Sequence, residues 1–109
     1  MKKNNFVDYV VGDLLADVDG VTSRSMFGGY GLYRHGKIFA MIVDDVLYFK
    51  VDEASKPEFA KYGSKPFEYA AKNGKKVAMS YWELPEEIME DKKELIRWVD
   101  RSCAIQKKK

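Results

Sequence analysis

Few residues of this 109-residue chain could do acid–base, nucleophilic or metal chemistry. The chain contains one histidine, His35, and one cysteine, Cys103. A single histidine with a single cysteine cannot complete a Cys/His zinc site. The sequence also lacks Gly-x-Ser-x-Gly, which forms the nucleophile turn of many serine hydrolases. We therefore expect no catalytic residue, no metal ion and no cofactor, and we expect that the protein is not an enzyme.

A glycine-rich stretch, Phe27-Gly28-Gly29-Tyr30-Gly31, invites comparison with phosphate-binding loops. A dinucleotide-binding fingerprint needs Gly-x-Gly-x-x-Gly between a strand and a helix, and a P-loop needs Gly-Lys-Ser/Thr. Here the next predicted element is another strand, and no Gly-Lys-Ser/Thr is present. The glycines instead predict a bulge or a strand crossing, where small residues let two backbones approach closely.

The other polar candidates fall at predicted turns and helix starts. His35-Gly36 and Asp44-Asp45 each separate two apolar runs, as the central residues of a β-hairpin do. Glu86-Glu87 follows a proline, at a position where acidic residues complement the dipole of a beginning helix. Cys103 falls in a helical pattern and is expected at the boundary of the core. These structural roles explain the residues without any catalytic work.

Apolar spacing predicts the elements that position these residues. A three- and four-residue repeat predicts one helix over about 4–18 and another, with a capping box, over about 91–105. A short helix is expected over about 53–61, followed by a second hairpin that turns at Asn73-Gly74. Runs of aromatic and branched residues predict four antiparallel strands over about 22–27, 29–34, 37–43 and 46–51.

Together these elements predict an α+β fold, with an antiparallel meander plus a hairpin, flanked by an N-terminal and a C-terminal helix. The length suits a single domain over 1–109, with a core over about 4–105 and a basic tail over 106–109. The N-terminal region lacks an apolar run long enough for a signal peptide or a spanning helix. We therefore expect a cytoplasmic protein with no membrane partner.

The charge of the chain changes sign near residue 80, although the net charge is only +2. From 83 to 94, six acidic residues accompany two lysines. Between 61 and 76, a single glutamate accompanies five lysines: Lys61, Lys65, Lys72, Lys75 and Lys76. This lysine-rich region fits contact with phosphates or with an acidic protein. It also fits a solvated edge hairpin, on which lysines discourage pairing with other strands, and this is the favoured interpretation.

The segment Arg24-Ser25-Met26-Phe27-Gly28-Gly29-Tyr30-Gly31-Leu32-Tyr33 resembles the signature of the TfoX/Sxy N-terminal domain family. The similarity continues through 36–40, 45–52, 66–69 and 79–85, and it covers roughly residues 6–103. The resemblance implies an α+β fold with a curved antiparallel sheet and flanking helices. It also implies a regulatory role, and the members of this family are not known as enzymes.

The resemblance further implies a kind of partner. Full-length relatives act in natural competence as coactivators that work with the cyclic-AMP receptor protein at DNA-uptake promoters. They carry a second, C-terminal helical domain, which we expect this chain to lack. The leading hypothesis is a regulatory domain that binds such a transcription factor, another protein or itself as a homodimer. The alternative is sequence-nonspecific nucleic-acid binding through the lysine-rich region, and a third is a small-ligand-binding protein or enzyme.

No established functional residue carries over from the family to this sequence. We take Arg24, Phe27 and Tyr30 as candidate surface residues from the family signature, although Arg24 also fits a structural ion pair and Phe27 also fits the core. The lysine-rich region completes the candidate interaction surface with Lys65, Lys72, Lys75 and Lys76.

Overall fold

The computed structural model describes residues 5–26 and 29–105, which form one six-stranded antiparallel sheet and four α-helices. The strands are β1 (Val21–Met26), β2 (Gly29–Arg34), β3 (Lys37–Val43), β4 (Val46–Lys50), β5 (Pro66–Ala70) and β6 (Lys76–Glu83). The helices are α1 (Asn5–Tyr9), α2 (Lys56–Lys61), α3 (Glu86–Met89) and α4 (Lys92–Ala104). The predicted α+β class is confirmed, as are the meander, the second hairpin and the two flanking helices.

In the described residues, two tight turns join β2 to β3 and β3 to β4. His35 and Gly36 have φ of 51° and 85°, and Asp44 and Asp45 have φ of 51° and 62°. Positive φ at both central residues defines a type I′ turn, whose twist matches that of the strands it joins. Both predicted two-residue hairpins are therefore confirmed, and the second of them has no glycine at all.

The second hairpin joins the sheet in the order β1-β2-β3-β4-β6-β5. Its loop contains three residues rather than two, because the N–H of Ala71 donates to the carbonyl of Lys75 at 2.8 Å. The predicted hairpin at Asn73-Gly74 is confirmed, but only Gly74 has a positive φ, of 86°, and Asn73 does not. The side chain of Asn73 accepts from the N–H of Lys75 at 3.1 Å, and this local bond favours the three-residue loop.

The N-terminal helix is shorter and less regular than predicted. After α1 the chain continues as a π-helical segment over Val10–Leu14, where the N–H of Leu15 donates to the carbonyl of Val10 at 2.8 Å. Gly12 lies inside this segment, and a glycine weakens a regular helix. The predicted helix over 4–18 is confirmed as an α-helix to Tyr9 and as a π-helical segment to Leu14, and it is wrong over 15–18. Its residue 4 lies outside the described residues. Its apolar face is confirmed, since five of its side chains are buried: Val7, Val10, Leu14, Leu15 and Val18.

Aromatic rings fill the core between the helices and the sheet. Phe59 of α2 lies 4.7 Å from Trp98 of α4, measured between ring centroids. Phe39 and Phe49 meet edge to face at 5.7 Å within the sheet. Ser102 anchors α4 to the end of β4, because its buried hydroxyl donates to the carbonyl of Lys50 at 2.9 Å. None of the helices in the described ranges is long and apolar enough to cross a membrane.

The glycine-rich stretch marks a close approach of two backbones, as predicted. Gly29 pairs with Val43 across β2 and β3. A Cβ atom on Gly29 would lie 2.0 Å from the carbonyl oxygen of Ile42, so no larger residue fits without a shift of the backbone. Phe27 and Gly28, which belong to the same stretch, lie outside the described residues.

Candidate interaction surfaces

One face of the sheet carries aromatic side chains that point away from the helices. Side chains alternate along a strand, and Phe49 and Trp82 pack into the core, so their neighbours Tyr48 and Tyr81 point the other way. Tyr48 meets Phe67 edge to face at 5.2 Å. Burial raises the pKa of Tyr48. Burial, together with the charge that the nearby Tyr33 would carry, raises the pKa of Tyr81. We call this aromatic surface the open face.

Arg24 lies at the edge of the open face. Its guanidinium carbon is 5.5 Å from the centroid of the Tyr33 ring, at a distance typical of cation–π contacts. Within the described part of the chain, Arg24 thus contacts a ring and forms no ion pair. Tyr30, the second candidate from the family signature, is half-buried and packs against the core. Phe27, the third, falls outside the described residues.

The second hairpin projects beyond the rest of the sheet. Strand β6 pairs with β4 only from Tyr81 to Glu83, and the carbonyl of Ser80 accepts one further bond, from the N–H of Val51, at 3.0 Å. Before Ser80, its only described strand neighbour is β5, and every residue from Lys72 to Ser80 is exposed. We call residues 68–80 the basic arm.

The basic arm carries both charged and apolar side chains. Lys72, Lys75 and Lys76 lie at or beside its turn, and all three are exposed. Tyr69 pairs with Val77 across β5 and β6, and these two side chains are 46% and 37% exposed. Met79, the next side chain on the same face of β6, is 37% exposed. Such a concentration of exposed apolar side chains is a common mark of an interaction site.

The predicted site residues do not form a single cluster. Lys72, Lys75 and Lys76 come together at the turn of the basic arm, whereas Lys65 is exposed at the opposite end of β5. Arg24 lies on β1, at the other edge of the sheet from β5. Five strand spacings separate those edges, which is roughly 24 Å.

An acidic groove of about 370 Å³ lies at the end of β6 that is farthest from the turn of the arm. Its lining includes the apolar or aromatic side chains of Phe6, Tyr62 and Met89, and no lysine or arginine. Four carboxylates line it: Asp45, Glu83, Glu86 and Glu87. In the residues that the structure describes, none of these four forms an ion pair.

Sequence reasoning missed this groove because it treated Asp45 and Glu86-Glu87 as separate turn and cap residues. The pairing of Tyr48 with Glu83 brings the Asp44-Asp45 turn beside the start of α3. The signal in the sequence was the change of charge sign near residue 80. That signal predicted an acidic region over 83–94, but it did not predict that Asp45 lies beside it.

Neither the histidine nor the cysteine of the chain is placed in a reactive cluster. His35 is exposed in its turn, and its ring lies so close to Gly20 that a Cβ there would be 2.5 Å from the ring. Burial raises the pKa of the half-buried Cys103 thiol, which keeps it protonated at neutral pH. Residues 5–26 and 29–105 contain no group of three or more potential ligands arranged to hold a metal ion.

Comparison with known proteins places this fold in a family. The family model of the TfoX N-terminal domain matches residues 13–105, a range that includes all six strands and helices α2 to α4. The chain belongs to the TfoX N-terminal domain family. This TfoX N-terminal domain is also 29% identical over 89 residues to Protein Sxy of Escherichia coli (strain K12). The match covers 82% of the chain and 42% of that protein, so the chain spans less than half the length of this relative.

Proposed function

We propose that this TfoX N-terminal domain is a non-catalytic regulatory module that acts in the cytoplasm through a protein partner. The process would be the control of transcription, in particular of DNA uptake during competence. The observation that carries the proposal is the family match over residues 13–105. By family resemblance, the partner is a transcription factor such as the cyclic-AMP receptor protein.

The open face supports this proposal as a surface for such a partner. Aromatic residues and arginine are enriched at the centres of protein interfaces. Aromatic rings bury much area at little cost in side-chain freedom, and arginine offers several hydrogen-bond donors with its charge. The open face offers Tyr33 and Tyr48 with Arg24 at its edge. Strand β1 adds an edge that has no described strand neighbour beyond β2, and such an edge can pair with a strand of a partner.

A binding measurement tests the partner. The purified chain would be titrated against immobilised cyclic-AMP receptor protein from the same organism, in the presence of cyclic AMP. Arg24→Glu reverses an exposed charge on the open face, and we expect it to weaken binding at least about tenfold. Lys93→Glu, an equal charge change at an exposed position on α4, is the control and should bind as the unchanged chain does. An unchanged chain that shows no binding, or two variants that weaken equally, would reject this partner surface.

Nucleic-acid binding is a second candidate, and the basic arm is the observation that favours it. Lys72, Lys75 and Lys76 are exposed and form no ion pair in the described part of the chain. If they contact phosphates, the logarithm of affinity should fall with the logarithm of salt concentration, by a slope of about 0.9 per phosphate contacted. A fluorescence-anisotropy titration of a labelled duplex at two salt concentrations measures this slope. An affinity that does not change with salt concentration would reject the arm as a phosphate-binding site.

A further inference from the structure

We propose that the protein associates with a second copy of itself, with the basic arm of each copy seated in the acidic groove of the other. The proposal is independent of the regulatory partner, because it involves only residues of this chain. Each copy would contribute one arm and one groove, which is the reciprocal arrangement of a twofold dimer.

Charge complementarity is the first support for this pairing. The arm presents Lys72, Lys75 and Lys76, and the groove presents four carboxylates without a lysine or arginine in its lining. The described charges elsewhere are often paired within the fold, as in Arg34 with Asp100 at 2.6 Å. The arm and the groove are thus two sets of opposite charge that form no ion pair within residues 5–26 and 29–105.

Apolar surface is the second support. The arm exposes Tyr69, Val77 and Met79, with at least 37% of each side chain accessible. The groove adds the ring of Tyr62, which is 42% exposed, beside Met89. Docking would remove these side chains from water, and this burial would add a favourable term that salt does not screen.

Geometry excludes the chain's own groove as the place where the arm docks. The arm and the groove lie toward opposite ends of the same strand, β6. The six residues from Ser80 to the turn extend the arm by roughly 20 Å, in the direction away from the groove. The arm could reach its own groove only by breaking the pairing of β5 with β6, so the groove it enters belongs to another molecule.

A second copy explains more of these features than a nucleic acid does. A nucleic acid would use the lysines of the arm, but it would leave Val77 and Met79 in water. It would also leave the groove unused, because phosphates do not bind a surface that carries four carboxylates. A second copy uses the lysines, the apolar side chains and the groove together.

Charge-reversal variants test the pairing. The arm variant Lys72→Glu/Lys75→Glu and the groove variant Glu86→Lys/Glu87→Lys change only exposed residues. We expect sedimentation velocity at low salt to show a dimer for the unchanged chain. Each variant alone should associate at least about tenfold more weakly, because like charges would face each other at both contacts. An equimolar mixture of the two variants should restore the dimer, because both of its contacts then join opposite charges.

The mixture also shows that both variants are folded, since unfolded chains would not restore the dimer. The control variant Lys37→Glu/Lys93→Glu makes the same charge change at exposed positions away from the arm, and it should dimerise as the unchanged chain does. A monomeric unchanged chain would overturn the proposal, and so would a mixture that stays monomeric although circular dichroism shows both variants folded. If the unchanged chain is monomeric but binds single-stranded DNA in a salt-dependent way, the arm is a nucleic-acid site instead.

Discussion

Among single residues, Gly29 shows how two backbones can dictate one residue type. A Cβ there would lie 2.0 Å from the carbonyl oxygen of Ile42, a backbone atom that cannot rotate away. We expect Gly29→Ala to lower the free energy of unfolding by about 1–3 kcal/mol, which is the usual cost of overpacking. Urea denaturation followed by circular dichroism measures this change.

Gly12→Ala is the matched control for that substitution. A Cβ on Gly12 would meet no atom within 4 Å, and the residue lies in a helical segment where alanine is favoured. We expect this variant to be as stable as the unchanged chain or more stable by up to about 1 kcal/mol. Equal losses of stability in the two variants would contradict the assigned role of Gly29.

At the scale of elements, a carboxylate on α2 joins that helix to α4. Glu58 forms ion pairs with Arg97, at 2.8 Å, and with Arg101. The hydrogen bond from Arg101, followed by that from Arg97, lowers the pKa of Glu58 below its ordinary value. Because the pKa is lower in the folded state, the ion pairs stabilise the fold above the unfolded-state pKa, near 4.3, and this contribution disappears as the pH falls through the folded-state pKa.

We therefore expect acid to lower the stability of the unchanged chain by more than it lowers the stability of the variant Glu58→Gln. Urea denaturation of both proteins from about pH 6 down to about pH 3 measures the difference. Glu53→Gln is the control, because Glu53 pairs with Lys56 at 2.9 Å but its side chain is 91% exposed, so the pair contributes little. If Glu58→Gln follows the same pH dependence as the unchanged chain, Glu58 does not link the two helices.

Most elements of the fold were predictable from local sequence signals. The two type I′ turns and strands β1 to β4 agree with the predictions because their signals, turn residues between apolar runs, act within a few residues. The same holds for α4, where the Asp91 side chain accepts from the N–H of Glu94 at 3.3 Å. The π-helical segment was missed because the apolar spacing fits either kind of helix.

The arm and the groove depend on longer-range features that local patterns do not contain. The arm projects because β4 ends early, where Asp52 and Ser55 exchange side-chain-to-backbone hydrogen bonds and turn the chain toward α2. The alternation within β6 does not reveal how far its neighbour extends. The groove likewise depends on the register between β4 and β6, which joins residue 45 to residues 83–87.

For the molecule as a whole, opposite charges at the two ends of β6 predict that stability depends on protein concentration. If only folded chains associate, association adds to stability by mass action. We expect the thermal midpoint of the unchanged chain to rise over a concentration series at low salt and to rise less at high salt, where charges are screened. The arm variant Lys72→Glu/Lys75→Glu should show a constant midpoint, and a constant midpoint for the unchanged chain would contradict self-association.

The turn at Asp44 and Asp45 has a further consequence, which concerns a trade-off between stability and function. Both residues hold a positive φ, a conformation that costs a residue with a side chain on the order of 1 kcal/mol relative to glycine. A chain selected for stability alone would favour Asn-Gly here, which suits a type I′ turn best. Asp45 instead gives the acidic groove one of its four carboxylates. On the proposed pairing, this turn gives up some stability for a carboxylate that the contact with the second copy uses.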